Sequence, residues 1–548
     1  MLVKPRISRR RMIARTTKAL AVCSFAPGVL PAADNTFSSH GAISGEPTAE
    51  KIGTQILAQG GNVVDAIVAA ALTAAVASPH NTGIGGYGGH LTIALANGKK
   101  VTAIDFNSAA PAAAREDMFA PDEKGNVRGA VNQFGWLAAG VPGVLAGMQL
   151  ALDRHGTRSF REVVQPAIKL ARDGFTLTPG LANTIAGAAT PFRADEGSRK
   201  LFFKDGEPLA AGDTYRNPDL AEMLSSLAQR NSVDSFYRGD IAGHIADEFK
   251  KHGGLVTAKD FAAYRAREVE PLALKWGDYD ILTAPLTAGG LTVLQACTIL
   301  RALKWNKFPA EFERTHARIE ALRFAWHDRL ALLGDPEKTK VPVAKLLSPD
   351  YADEAAAQIS QVVKDGKILP LQTQARAQPG TIHLSAVDKD GNMAACTLTH
   401  GGNFGARVTV DGLGLTLGHG MSRFEPRPGH PNSPGSGKRP LHNMCPTIVL
   451  REGRPVFAVG ARGGRQIPNG VFEVLTQFIA LSRPMTEAVA APRLHTEGNV
   501  ELSLEKTWPA SDLPSLARVG YTLKTGFAAV VSAVSFDPKS GVCHSATR

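Results

Sequence analysis

Gln378-Pro379-Gly380-Thr381-Ile382-His383-Leu384-Ser385-Ala386-Val387-Asp388-Lys389-Asp390-Gly391-Asn392-Met393-Ala394-Ala395-Cys396-Thr397-Leu398-Thr399-His400 holds the key to the fold. Thr381 to Asp388 alternates as a strand does, and Met393 to His400 returns with the same period. Lys389-Asp390-Gly391 suits a three-residue hairpin loop whose last position is left-handed. That register sets Thr381 directly opposite Thr399, with both side chains on one face. A threonine hydroxyl is a weak nucleophile unless a base lies beside it. Cleavage between Gly380 and Thr381 would supply one, because a free α-amine has a pKa of about 7.7–8.0. An ordinary Thr–Thr cross-strand pair explains the same residues, so the hairpin alone leaves both readings open.

Outward from the hairpin, Thr447 to Leu450 and Pro455 to Val459 form a second hairpin around Glu452-Gly453. Gly460-Ala461-Arg462-Gly463-Gly464 then leads into a helix expected from Ile467 to Leu481. Backbone N–H groups at Gly463 and Gly464, just before that helix, suit the oxyanion of a tetrahedral intermediate. Upstream, Glu50 to Ala77 reads as two helices, the second (Val64 to Ala75) apolar enough to be buried nearly all round. The glycine turn from Asn81 to Gly89 leads into strands expected at His90 to Ala96 and Lys100 to Phe106. That order is the reverse of a dinucleotide fingerprint, in which a strand precedes the glycines. Helices dominate from about 112 to 365, with a short strand pair expected near 270 to 284.

The chain has 548 residues, 44% apolar and 20% charged, the balance of a globular protein with a large core. Its net charge of +11 is spread in short cationic runs, part of them in the first thirty-odd residues, which argues against a nucleic-acid partner. Residues 1–33 read as an export signal. Ser8-Arg9-Arg10-Arg11-Met12-Ile13 is close to a twin-arginine motif, a short apolar stretch runs from Ala19 to Leu30, and Pro31-Ala32-Ala33 follows. The expected location is periplasmic or extracellular, with no membrane partner. Cys23, Cys297, Cys396, Cys445 and Cys543 show no C-x-x-C spacing, and buried free thiols are expected for the mature part. His80, His90, His383, His400, His419 and His442 are too irregularly spaced for a ligand set, so no metal and no cofactor are expected. His383 reads as a structural hydrogen-bonder.

Several pieces in order resemble the γ-glutamyltranspeptidase family of N-terminal-nucleophile hydrolases. They are Gly60-Gly61-Asn62-Val63-Val64-Asp65-Ala66, Pro79-His80, Gly83-Ile84-Gly85-Gly86, Gly140-Val141-Pro142-Gly143, Phe236-Tyr237-Arg238-Gly239 and Leu333-Gly334-Asp335-Pro336. The stretch opening at Thr381, Phe404-Gly405, Lys438-Arg439-Pro440-Leu441, Pro446-Thr447-Ile448-Val449 and Gly463-Gly464 continue the likeness. The resemblance implies an α+β, four-layer αββα sandwich. It also implies self-cleavage at Gly380–Thr381 into a large portion, 34–380, and a small one, 381–548, that stay associated. Thr381 would be the nucleophile toward a small amide or peptide, Thr399 its support, and Gly463 and Gly464 the oxyanion site.

The family's substrate-anchoring positions differ in this chain. Asn107 follows Asp105-Phe106 where the family has arginine, and Gly401 stands for an asparagine. Gly420 and Arg423 replace a glutamine and an aspartate, and His442-Asn443 replaces a serine pair. An arginine in place of an aspartate reverses the local electrostatics for a substrate ammonium. Either the pocket selects another acyl group, as in the family's cephalosporin acylases and oxamate amidohydrolases, or Arg423 and His442 point away. A catalytically silent scaffold is the nonenzymatic alternative.

Overall fold

The structure is a computed structural model. It describes residues 40–96, 100–371, 373, 380–526 and 528–548, together with the backbone of Asn35–Phe37. The expected export signal, Cys23 and the Gln378-Pro379 pair lie outside the described residues.

Two antiparallel sheets stack face to face. One has seven strands in the order Asn35–Phe37, Val542–Thr547, Val530–Asp537, Arg454–Arg462, Thr447–Arg451, Tyr279–Thr283, Leu272–Trp276. The other has six, in the order Gly41–Ser44, Ile382–Asp388, Met393–Thr399, Gly88–Ala94, Val101–Asp105, Arg267–Val269. Alternation decides which side chains meet between them. Ala42, Val387, Met393 and Ala395 from the second sheet pack on Ile448, Ala458, Val534 and Cys543 from the first. The opposite face of the Ile382–Asp388 strand, with Ile382, Leu384 and Ala386, is covered by helices that include Pro47–Ala58 and Val63–Ala77. Val459 and Ala461 of the first sheet pack beneath Gly290–Leu303, Glu311–Leu332 and Gln466–Leu475. This is the expected αββα sandwich.

The Val63–Ala77 helix is buried through Val76, as its composition requires. Its N-terminus is held by a capping box between Asn62 and Asp65. The Asp388 carboxylate also accepts from Val63 N at 3.1 Å. The key hairpin has the expected register, Ile382 opposite Leu398 and Val387 opposite Met393, with Gly391 at φ 79°. Several element boundaries differ from expectation, and two of the differences bear on the site. The strand after the glycine turn starts at Gly88 rather than His90, because Gly88 and Gly89 already pair with Thr399 and Leu398. The helix after Gly464 is regular only over Gln466–Leu475 and continues as a π-turn over Thr476–Ala480.

Candidate active site

Thr381 stands immediately before the Ile382–Asp388 strand and Thr399 at the end of the neighbouring one, 5% and 1% exposed. Their Oγ1 atoms are 3.1 Å apart. With the Gly380–Thr381 bond intact, the Thr381 hydroxyl lies against the Gly380 carbonyl oxygen. Thr399 Oγ1 donates to that same oxygen at 2.8 Å and accepts from Gly401 N at 2.7 Å. Gly380 has φ 107°, and a Cβ there would fall 2.8 Å from the Gly402 carbonyl carbon. Only glycine fits before the threonine without moving the backbone behind it.

The Arg454–Arg462 strand brings Gly463 and Gly464 to this end of the sandwich. Gly460 lies against the His383 ring, so close that a Cβ would be 2.2 Å from it. Two residues further along the same inward face the strand ends at Arg462, and Gly463 and Gly464 turn with φ 131° and 63° into the Gln466–Leu475 helix. His383 bonds Thr397 at 2.7 Å and Ser385 at 2.9 Å, and burial pushes its imidazole down to about 3. It is a neutral structural hydrogen-bonder, as the sequence suggested, with both ring nitrogens occupied.

A cavity of about 390 Å³ is lined by Arg423, Asn443, Arg329, Arg465, Asn132, Gln133 and Trp326, among others. Named bonds connect it to the threonines: an Arg423 Nη2 proton goes to the Gly401 carbonyl, and Gly401 N goes to Thr399. The structure puts Arg423 and Asn443 in the lining of this cavity and leaves the other four anchoring candidates out of it, Gly401 touching it only through its carbonyl bond to Arg423. Asn107 is 0% exposed, and its Nδ2 donates to Thr287 Oγ1 at 2.6 Å and Pro440 O at 2.8 Å, leaving no N–H for a substrate. His442 packs on His90, ring centroids 4.7 Å apart, and its Nδ1 accepts from Met444 N. Burial holds its imidazole well below the ordinary range.

Gly401 and Gly420 explain why the larger amides are missing. Gly401 has φ 100°, and a Cβ there would sit 2.2 Å from the His419 ring. At Gly420 a Cβ would come within 2.8 Å of Ser108 Oγ. These positions contribute backbone and close packing only.

Sequence reasoning missed Arg329, Arg465 and Tyr87. Arg329 sits on the Glu311–Leu332 helix and gives Nη2 to His442 O at 2.7 Å and Asn443 Oδ1 at 3.1 Å. Burial lowers its pKa to about 10, so it stays charged at neutral pH. The signal was present: this helix buries Arg318, Glu320, Arg323, Asp328 and Arg329 and has no clean apolar stripe. Tyr87 comes from the glycine turn, and its ring lies 6.0 Å from the Arg423 guanidinium carbon.

Cys297, Cys396, Cys445 and Cys543 are buried free thiols. Among the described residues no group of three or more His, Cys, Asp and Glu side chains could hold a metal ion, and no helix is long and apolar enough to cross a membrane.

Comparison with known proteins assigns the family. The family model described as gamma-glutamyltranspeptidase matches residues 49–548. The chain is 37% identical to a glutathione hydrolase proenzyme of Escherichia coli (strain K12), over 87% of this chain and 84% of that one. It is 34% identical to the acylase ACY 1 proenzyme of Pseudomonas sp. (strain SE83), over 90% and 89%. Among solved structures, a cephalosporin acylase from Bacillus halodurans shares the fold with a TM-score of 0.83 at 24% identity, covering 100% of this chain and 96% of that one. A Helicobacter pylori gamma-glutamyltranspeptidase aligns with a TM-score of 0.55 at 34% identity, over 59% of this chain and 93% of that one. A match across nearly the whole length, on an αββα sandwich with paired threonines at one end, makes this chain a member of the γ-glutamyltranspeptidase family of N-terminal-nucleophile hydrolases, an enzyme of acyl-amide cleavage and transfer.

Proposed function

We propose that the chain is a precursor that cuts itself between Gly380 and Thr381 and then uses Thr381 to take an acyl group from an amide. The observation that carries this reading is the contact of the Thr381 hydroxyl and the Thr399 hydroxyl with one carbonyl oxygen, that of Gly380. In the first stage Thr381 Oγ1 attacks the Gly380 carbonyl carbon, and the charge developing on the oxygen meets the Thr399 hydroxyl. Collapse breaks the bond to the Thr381 nitrogen, which takes up the proton given up by Oγ1 and becomes a free amine, and leaves an ester that water hydrolyses to a Gly380 carboxylate and the Thr381 hydroxyl.

In the second stage that amine takes the hydroxyl proton as Oγ1 attacks the substrate amide. Gly463 and Gly464 N–H groups receive the oxyanion, and the protonated amine returns its proton to the leaving nitrogen. The acyl ester on Thr381 then passes to water or to an acceptor amine. The acyl group, γ-glutamyl or a related one, reaches into the cavity at Arg423 and Asn443. Residues 1–33 direct export by a twin-arginine-type route to the periplasm or beyond it, and the 34–380 and 381–548 portions stay associated.

The test is intact-mass analysis of purified wild type and Thr381→Ala. Wild type should resolve into two pieces divided at Gly380–Thr381, and the variant should stay whole. A wild-type chain that remains whole, or a variant that is cut at the same bond, would refute the reading.

A further inference from the structure

Two guanidinium groups at the cavity have no carboxylate partner among the described residues. Arg423 gives Nη2 to the Gly401 carbonyl, while its Nε and Nη1 are buried without a hydrogen-bond partner. Arg329 is surrounded by neutral acceptors only: Thr292 Oγ1, the His442 carbonyl and Asn443 Oδ1. The neighbouring acids have cations or neutral donors of their own, Glu425 among them although it lines the same cavity. Asp328 holds Gln295 and Tyr351, Glu497 holds Arg465 at 2.5 Å, and Glu425 holds Arg427 at 2.7 Å. Burying a charged group is costly unless an opposite charge meets it. Two such cations beside one cavity therefore describe a receptor for an anion.

We infer that the acyl group ends in a carboxylate and carries no ammonium, so that the substrate is an ω-carboxyacyl amide such as a glutaryl, succinyl or oxalyl amide. This rests on the reading of Thr381 as the nucleophile. A γ-glutamyl head brings a carboxylate and an ammonium together. Arg423 and Arg329 attract the first and repel the second, and no carboxylate pairs with either arginine to receive the ammonium. A plain alkyl acyl group would leave both cations without a partner. A terminal carboxylate in the cavity would meet both cations, and an Arg423 edge made of Nη2 with Nη1 or Nε offers the forked geometry that guanidinium favours. The path from that fork to the nucleophile runs through Gly401 and Thr399, so the two ends of a short acyl chain meet an anion site and a nucleophile linked by consecutive hydrogen bonds.

The experiment compares p-nitroanilides of glutaryl, succinyl, oxalyl, γ-glutamyl and butyryl groups on the processed enzyme. One ω-carboxyacyl anilide should exceed both γ-glutamyl and butyryl in kcat/KM by about 100-fold or more. Arg423→Met should erase most of that preference, mainly through KM, and Arg423→Lys should restore part of it. Arg329→Met should act in the same direction. If that variant fails to fold, Arg423→Met decides. Equal or better cleavage of the γ-glutamyl anilide, or a preference untouched by Arg423→Met, would overturn the inference. A chain that never cuts itself counts against Thr381 instead, and the pocket is then read separately by calorimetry. Glutarate binding more tightly than glutamate to the full chain supports the anion site, and the reverse order, equal affinity or no binding of either overturns it.

Discussion

At the scale of single residues, Thr399 holds three bonds around the scissile carbonyl. Its hydroxyl donates to the Gly380 oxygen and accepts from both Thr381 and Gly401. Removing one donor from a developing oxyanion typically costs about 10²–10³ in rate. Thr399→Ala should therefore lengthen the half-time of self-cleavage by roughly that factor, and Thr399→Ser should stay close to wild type. A time course on gels reads both, and an unchanged rate in the alanine variant would remove Thr399 from the chemistry. The base of the mature enzyme is a second residue-scale matter. A general base acts in its deprotonated form, so amide cleavage should rise as pH passes the α-amine pKa and level off above about 8. His383 and His80, pushed by burial to about 3 and about 4, are already neutral across that range. A rate profile whose only limb lies near pH 6.5 would assign the base to a histidine and exclude the amine.

At the scale of elements, the key hairpin is tied to a helix far away in sequence. Asp388 accepts from Asp390 N, Asn392 N and Asn392 Nδ2 within its own loop, and from Val63 N at the head of the buried helix. Asp388→Ala would leave the buried Val63 N–H without a partner and loosen the loop donors, at a cost of roughly 1–3 kcal/mol. Urea unfolding should show that loss, with kcat of the folded enzyme changed by no more than about threefold, because Asp388 lies at the far end of the strand from Thr381. A loss of activity without a loss of stability would contradict this. The same hairpin marks what local sequence can say. Its register follows from alternation plus a left-handed Gly391, both carried by adjacent residues. The reach of Asp388 to Val63 does not follow, because that contact spans 325 positions and no local period encodes it. The pocket divides in the same way. Thr381, Thr399 and Arg423 were legible from spacing and from family pieces. Arg329 was hidden in a charged helix, and the withdrawal of Asn107 depends on Thr287 and Pro440, which arrive from two other segments.

At the scale of the whole molecule, strands from the two sides of Gly380 alternate within both sheets. Ile382–Asp388 and Met393–Thr399 lie between Gly41–Ser44 and Gly88–Ala94, and the four strands after Thr447 lie between Asn35–Phe37 and Tyr279–Thr283. Asp105 of the first portion also pairs with Arg439 of the second at 2.8 Å in a buried contact. Separating the pieces would open both sheets, so the cut protein should elute as one particle in native buffer and come apart only in denaturant. Acid should unfold that particle through its histidines. Burial lowers His80, His90 and His316 to about 4 and His383, His400 and His419 to about 3, against an ordinary 6.5. A histidine depressed in the fold keeps its full contribution above 6.5, where neither state is protonated. As pH falls below 6.5 the unfolded chain binds protons that the folded one refuses, and stability drains away toward the folded pKa values. Glu46, Glu50, Glu473 and Asp388, raised by burial, work in the opposite direction, but only nearer the ordinary carboxylate range. The first descent therefore belongs to the histidines. Tm should fall continuously between pH 6.5 and about 5, and by the same amount in Thr381→Ala, since none of these rings depends on cleavage. A Tm that stays flat over that interval would mean that the rings take up protons without unfolding the sandwich.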